Sequence, residues 1–425
     1  MNCPVSCALS IPRSHSRRGE SMIMRHVLDA MWPASNRGRH SGRLTTPSND
    51  RRGSVLVFSA AMLVIIFAMV AFSVDMGYVA LTKTQLQIAA DGAALAACLE
   101  LPDGLGPQPI NTLEETAALA TAAAVSVAGQ NKNGDQDGTY LHATNDVTYG
   151  QAVWNSQTKQ WVTTWDVFPY NAVKVTTRRD AAESVGGDKP LNLMFAPVLG
   201  INDMSLNTEA TAALLPGVGF QIGADSEATI DVLPITLDVP TWEALMAGVG
   251  TDNYAYDPAT GCVSAGSDGI LEVDLYPYGN GSLPPGNRGT VDIGSPNNST
   301  SDLCRQILYG LNAYDLSFFG GELRTDQGDI TLNGDTGISA GIKEELEAIK
   351  GKPRLIPLFS AVSGPGNNAV YTIPKFVGIR IMYVKLTGGN KKVIIQPAPF
   401  VSSQIVRGET TIGPDTYYTP PRLIN

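Results

Sequence analysis

From Gly53 to Val74 no side chain is charged. Wound as a helix at about 1.5 Å per residue, that run spans roughly 33 Å, the hydrocarbon thickness of a bilayer. A soluble core helix rarely stays apolar for so long. In lipid the backbone amides find no water, so the segment must close its hydrogen bonds internally, as one helix. Ser59 and Ser73 are compatible with that, because a helical serine returns its hydroxyl to a carbonyl one turn back. The charge on either side sets the direction of insertion. Nine arginines precede the run against three acids, and the remainder carries 21 basic and 37 acidic residues. Basic flanks stay in the cytoplasm, so the sequence predicts a cytoplasmic N-terminus in the inner membrane and an ectodomain outside from Asp75 onward.

No Pro interrupts the chain between Asp75 and Pro102, so the helix is expected to continue past the bilayer to about Leu99. On that part Val74, Tyr78, Leu81, Ile88, Leu95 and Leu99 recur at three and four, an apolar stripe. Beside it lie Ala89, Ala93 and Ala97, with Gly92 and Ala96 on an adjoining row. Small residues at this spacing allow another backbone to approach closely. The occupant of that face is either a partner helix or the chain's own downstream domain.

The run RRGSVLVF, the apolar segment, and then SVDMGYVALTKTQLQIAADGAALAA resemble the N-terminal segment of the TadG-like Flp pilus-assembly proteins. The matching positions are Arg51, Arg52, Gly53, Val74, Asp75, Gly77, Leu86, Gln87, Ala90, Asp91, Ala93, Ala94, Leu95, Ala96 and Ala97. A looser similarity follows in a strand-rich unit, at Phe195, Ala196, Leu199 and Gly200 and then at Ala210 and Ala212. The resemblance implies a non-catalytic structural or assembly component of a Flp (Tad) type pilus or related secretion apparatus. It also implies contact with pilus-assembly proteins, or self-association, through the Ala-rich helix. The contact residues it points to are Asp75, Gly77, Gln87, Ala89, Asp91, Gly92, Ala93, Ala96 and Ala97. Related pseudopilin-like members carry a Glu five residues past the Gly; Phe58 stands there in this chain, so the helix is read as a retained anchor. Some members carry a metal-binding D-x-S-x-S loop. The nearest stretch here, from Asp238, lacks both serines.

With 425 residues, 43% of them hydrophobic, the chain holds an anchor and one or two folded units. Its 43 Gly and 27 Pro favour a loop-rich, largely β product. The expected class is α+β: a long transmembrane helix extending into a helical hairpin, then a strand-rich ectodomain. Residues 1–50 read as a disordered basic cytoplasmic tail, 51–99 as the anchor helix with 53–74 in the membrane, 100–216 as a helix plus strands, and 217–425 as a second α+β unit. Thr112 and Glu115 form a capping box that opens the second helix, with Gly129 as its stop. GELRTDQGDITLNGDTG suggests a hairpin, PGVGFQIG an inter-domain turn, and YYTPPRLIN an exposed tail.

Catalytic motifs are scarce. Only one of the four histidines, His142, lies beyond the apolar run, which leaves the ectodomain without a Ser–His–Asp or Cys–His pair or a His-rich zinc site. Asn133, Asp135, Asp137 and Gly138 echo the start of a calcium loop, but Thr144 stands where the bidentate Glu belongs, so a polar turn is the reading. Gly217, Gly219 and Gly223 miss the dinucleotide spacing by one residue. An acidic exterior repels nucleic acid. No cofactor, metal or small-molecule substrate is expected. Two other classes stay open: an envelope-anchored adhesin or binding module, and an exported hydrolase using carboxylates such as Asp231, Asp238, Glu272 and Asp274. Cys262 and Cys304 fall in one unit and are a possible disulfide, closing a loop whose entropy contributes on the order of 4 kcal/mol. Cys98 is left over, to pack as a small apolar residue or to cross-link two copies.

Overall fold

A computed structural model describes residues 52–106, 108–181, 187–276, 289–294, 299–334, 340–365, 368–409, 412, 413, 415 and 417–424. The basic tail expected over residues 1–50 lies outside them. The chain separates into two units, residues 1–69 and 70–425. Helix α1, Arg52–Leu99, runs through both without a break. It is the one helix, among the described residues, long and apolar enough to cross a membrane, and none of its most apolar window is buried. Ser59 Oγ donates to the Val55 carbonyl at 2.7 Å, the return bond expected of a helical serine.

In the second unit α1 ends before Pro102, which opens the 3-10 turn Leu101–Gly104. Helix α2, Leu113–Gly129, starts at the expected capping box. The Glu115 amide donates to Thr112 Oγ1 at 3.2 Å, and the Thr112 amide donates to Glu115 Oε2 at 2.9 Å. The two helices form a hairpin. A Cβ built on Gly92 of α1 would touch Val127 of α2 at 3.4 Å. A Cβ on Gly104 would lie 2.5 Å from Thr116 Oγ1, so only glycine fits that turn.

An antiparallel sheet follows. It is built from β1 (Val147–Asn155), β2 (Gln160–Trp165), β3 (Ala172–Arg179) and, after the two-residue pair β4 (Leu191–Asn192) and β5 (Asp203–Met204), β6 (Leu206–Ala213). The strand order is β2-β1-β3-β6, with Arg422–Leu423 on the outer edge of β6. Alternate side chains of β3 and β6 (Val173, Val175, Ala210, Ala212) point to one face, where they share a core with Ala90, Ala93, Ala94 and Ala97 of α1 and Ala120, Ala124 and Ala128 of α2.

Two further cores occupy the C-terminal half. One forms on the five-stranded sheet that includes Pro353–Phe359, Lys375–Lys385 and Lys392–Pro397, under the helices Val239–Met246, Thr300–Tyr309 and Lys343–Ala348. The other lies between a four-stranded and a three-stranded sheet. The whole is α+β, with a long apolar helix leading into a helix and a strand-rich region.

Several local expectations change. PGVGFQIG is not a turn: Gly217–Gln221 is the central strand of the three-stranded sheet. GELRTDQGDITLNG is not a hairpin. Glu322–Arg324 pairs with that strand, while Ile330–Gly334 pairs with Val370–Ile373. The stretch from Tyr417 is not an exposed tail. Tyr417, Tyr418 and Thr419 are buried, and the Ile424 amide donates to the Thr211 carbonyl at 2.8 Å. Cys304 is a free thiol that donates to the Gly341 carbonyl at 3.7 Å, so the expected Cys262–Cys304 bridge is absent. Its helix packs Cys304 against the core that Leu346 of the Lys343–Ala348 helix also enters. Cys98 is fully buried and free, which removes it as a cross-link between copies.

Candidate functional site

Apart from Gly77, the residues singled out on α1 fall along the side of the helix that meets the chain's own downstream part. Seen along α1, the buried positions include Asp75, Val79, Thr82, Leu86, Ala89, Ala93 and Ala97, with Ala90, Ala94 and Cys98 beside the last three, spaced by three and four as one face of a helix must be. This is the small-residue face and not the large apolar stripe. Leu81, Ile88 and Leu99 are exposed. Alanine lets the helix axis come close to α2 and to β3 and β6, whereas leucine there would hold them apart. The alanines are therefore occupied intramolecularly: Ala89, Ala93 and Ala97 are sealed inside the protein, Gln87, Asp91, Gly92 and Ala96 are half-buried, and Gly77 is exposed with nothing near it. Of the two occupants the sequence allows for this face, the chain's own α2 and first sheet are the one that covers Ala93 and Ala97 here.

The polar residues of the same stretch serve as fasteners. Gln87 Nε2 donates to Asp91 Oδ1 at 2.8 Å, one helical turn on, and to the Glu209 carbonyl on β6 at 3.0 Å. The Leu86 carbonyl accepts Thr177 Oγ1 of β3 at 3.0 Å. Gln85 Oε1 accepts the Gly134 amide at 2.8 Å. Gly134 itself adopts φ +55, and a Cβ there would press on Leu191 and Thr82 at 2.9 and 3.0 Å. The turn carrying it, read from sequence as a failed calcium loop, is held by Arg179. That guanidinium is buried and donates to Asn133 Oδ1 at 2.9 Å and to Asp135 Oδ1 at 2.8 Å. Burial pushes the Asp135 carboxyl up, but the Arg179 hydrogen bond and charge outweigh it and leave the group below its ordinary value.

Asp75 is the most specific element. Only 4% exposed, its carboxylate accepts three successive backbone amides from the segment after β4. These are Met194 at 2.9 Å, Phe195 at 3.0 Å and Ala196 at 2.6 Å. Ala196 begins the 3-10 turn Ala196–Leu199, which ends on Gly200 at φ +83. The turn's first amides have no partner of their own, so an outside anion satisfies them and meets the positive end of the turn. Burial raises the Asp75 pKa, and the three amides more than reverse it, holding the group below its ordinary 3.8. The sequence placed a charge here for topology alone and missed the amides. The Phe195–Gly200 turn was the available signal.

The carboxylates considered for hydrolysis each have a local task. Asp238 caps its helix through the Thr241 amide at 2.9 Å. Glu272 accepts the Asn253 and Tyr254 amides, and Asp274 those of Tyr276 and Val393. Asp231 pairs with Arg354 at 3.0 Å. Among the described residues no group of three His, Cys, Asp or Glu is placed to hold a metal ion.

Comparison with known families matches residues 53–99 to the family described as Flp pilus-assembly TadE/G-like, and residues 105–212 to that described as Tad-like Flp pilus-assembly. These two matches support a TadG-like Flp pilus-assembly family over those residues. The Tad matches indicate a Flp pilus-assembly component. They cover α1, the α1–α2 hairpin and the sheet through most of β6, the elements joined at the Asp75–Gln87 seam. No curated protein and no solved structure matches the chain.

Proposed function

We propose that this TadG-like chain is a single-pass, non-catalytic component of a Flp-type pilus or related secretion apparatus, anchored in the inner membrane. Residues 53–74 cross the bilayer, the N-terminus faces the cytoplasm, and 100–216 and 217–425 form the extracytoplasmic parts that meet other pilus-assembly proteins. The observation that supports this best is the match over 53–99, which falls on an uninterrupted helix whose residues 55–70 are exposed and uncharged while its later part packs against a sheet. The acidic excess beyond residue 74 agrees with export, because basic residues resist crossing. Protease added to intact spheroplasts tests the reading. It should degrade the ectodomain and leave a short protected N-terminal fragment; full protection of the ectodomain would overturn it.

A further inference from the structure

The Phe195–Gly200 turn that Asp75 holds is an unusual surface for a water-facing loop. Residues 191–202, LNLMFAPVLGIN, carry no charged side chain. Val198 is 89% exposed and Leu199 80%, and Met194, Phe195 and Ile201 are exposed beside them. Contiguous large apolar side chains left open to solvent mark a contact surface rather than a chance exposure.

Its place on the chain says what it contacts. Asp75 is the first charged residue after the apolar run. A helical Cα–Cβ bond tilts toward the N-terminus, so the amides seated on the Asp75 carboxylate sit on the membrane side of that residue. Ala71, one turn nearer the membrane on the same face, is half-buried, while residues 55–70 and 72–74 are all exposed.

The backbone is also prepared for a dry environment. Met194, Phe195 and Ala196 donate to Asp75, and position 197 is proline with no amide to satisfy. The Val198, Gly200 and Ile201 amides close onto the carbonyls of Phe195, Pro197 and Ala196. Unpaired amides are what ordinarily keep a loop out of lipid.

We propose that residues 194–201 form a second membrane contact, a turn whose Val198 and Leu199 insert into the headgroup–acyl boundary of the leaflet from which the ectodomain emerges. The inference rests on 53–74 crossing the bilayer. With a helix at one point and this turn at another, the ectodomain meets the leaflet at two places, which restrains its tilt.

The test uses the full chain in phosphatidylcholine vesicles, with and without acyl chains brominated close to the headgroup. Val198→Trp and, as a comparison, Val249→Trp at another exposed position (67% exposed) are each measured against the parent protein. The emission added by Val198→Trp should be blue-shifted and lost in the brominated vesicles, while that added by Val249→Trp survives. Equal survival of both, in protein that floats with the vesicles after an alkaline wash, overturns the turn's insertion and leaves the anchor standing. Protein that fails to float after the wash overturns the anchor and the insertion together.

Discussion

The Asp75 carboxylate accepts the Ala196 amide at 2.6 Å across 121 residues of chain. That bond, with its two neighbours from Met194 and Phe195, ties the end of the apolar run to the turn after β4. Asp75→Asn keeps an acceptor but removes the charge, and hydrogen exchange at the amides of 194–196 should quicken while exchange in β3 and β6 stays as in the parent. The pH dependence has a definite sign. Because the folded value lies below the ordinary 3.8, the stabilisation is complete above 3.8 and is lost as pH falls through the lower folded value. Exchange at the same three amides, followed through that window, should rise in the parent and stay flat in Asp75→Asn.

The two faces of α1 make opposite predictions. Ala93 is sealed against α2 and the sheet, so Ala93→Leu overpacks the seam and should cost about 1–3 kcal/mol. Ile88 is exposed, and Ile88→Ala should change stability by less than about 0.5 kcal/mol. Thermal unfolding of both variants in detergent checks the pair; the reverse ranking would put the large apolar stripe inside.

Arg179→Met fills the same space without its donors. Asn133 Oδ1 loses a partner, as does the Lys189 carbonyl that Arg179 Nε also bonds, and loss of such bonds costs about 1–3 kcal/mol. Asp135, released from Arg179 and 43% exposed at its side chain, rehydrates and adds little. Limited proteolysis should find new cleavage between 131 and 138.

Cys304 carries a thiol pushed up to about 11 by burial and by the neighbouring Glu345 carboxylate. Against an ordinary thiol that is about a hundredfold less thiolate at mildly alkaline pH. Maleimide labelling of Cys304 should be correspondingly slow in the folded protein, and Cys98 should label only after denaturation. Peptide mapping of the labelled thiols reads both, and a Cys304 that labels only after reduction would restore the expected bridge.

How much of this was legible from sequence depended on distance along the chain. The apolar run, the Thr112–Glu115 capping box and the Gly129 stop are written in short-range chemistry and were found where expected. The small-residue face of α1 was legible in the spacing of Ala89, Ala93 and Ala97, but which element covers it was not, because smallness specifies a close approach and not the identity of the approaching backbone. The partners of Asp75 and Gln87 were out of reach. They are backbone amides and a carbonyl more than a hundred residues away, groups that every residue possesses and no residue type reveals. The same limit hid the separate sheets that claim Glu322–Arg324 and Ile330–Gly334.

The burial of Tyr418 gives one more expected outcome. It lies in the core shared by α1, α2, β3 and β6, and Tyr418→Ala should cost about 3–5 kcal/mol, as other buried aromatic truncations do. Urea unfolding should show the first sheet, far earlier in sequence, losing protection along with it.

That placement bears on how the protein is made. The Thr419 amide donates to the Leu215 carbonyl, and Arg422–Leu423 closes the edge of β6. The earliest sheet to leave the ribosome is thus finished by some of the latest residues to follow it. A chain stalled short of residue 417 keeps its α1–α2 core open and a bare strand edge, a form exposed to proteolysis and to edge-to-edge pairing with other chains.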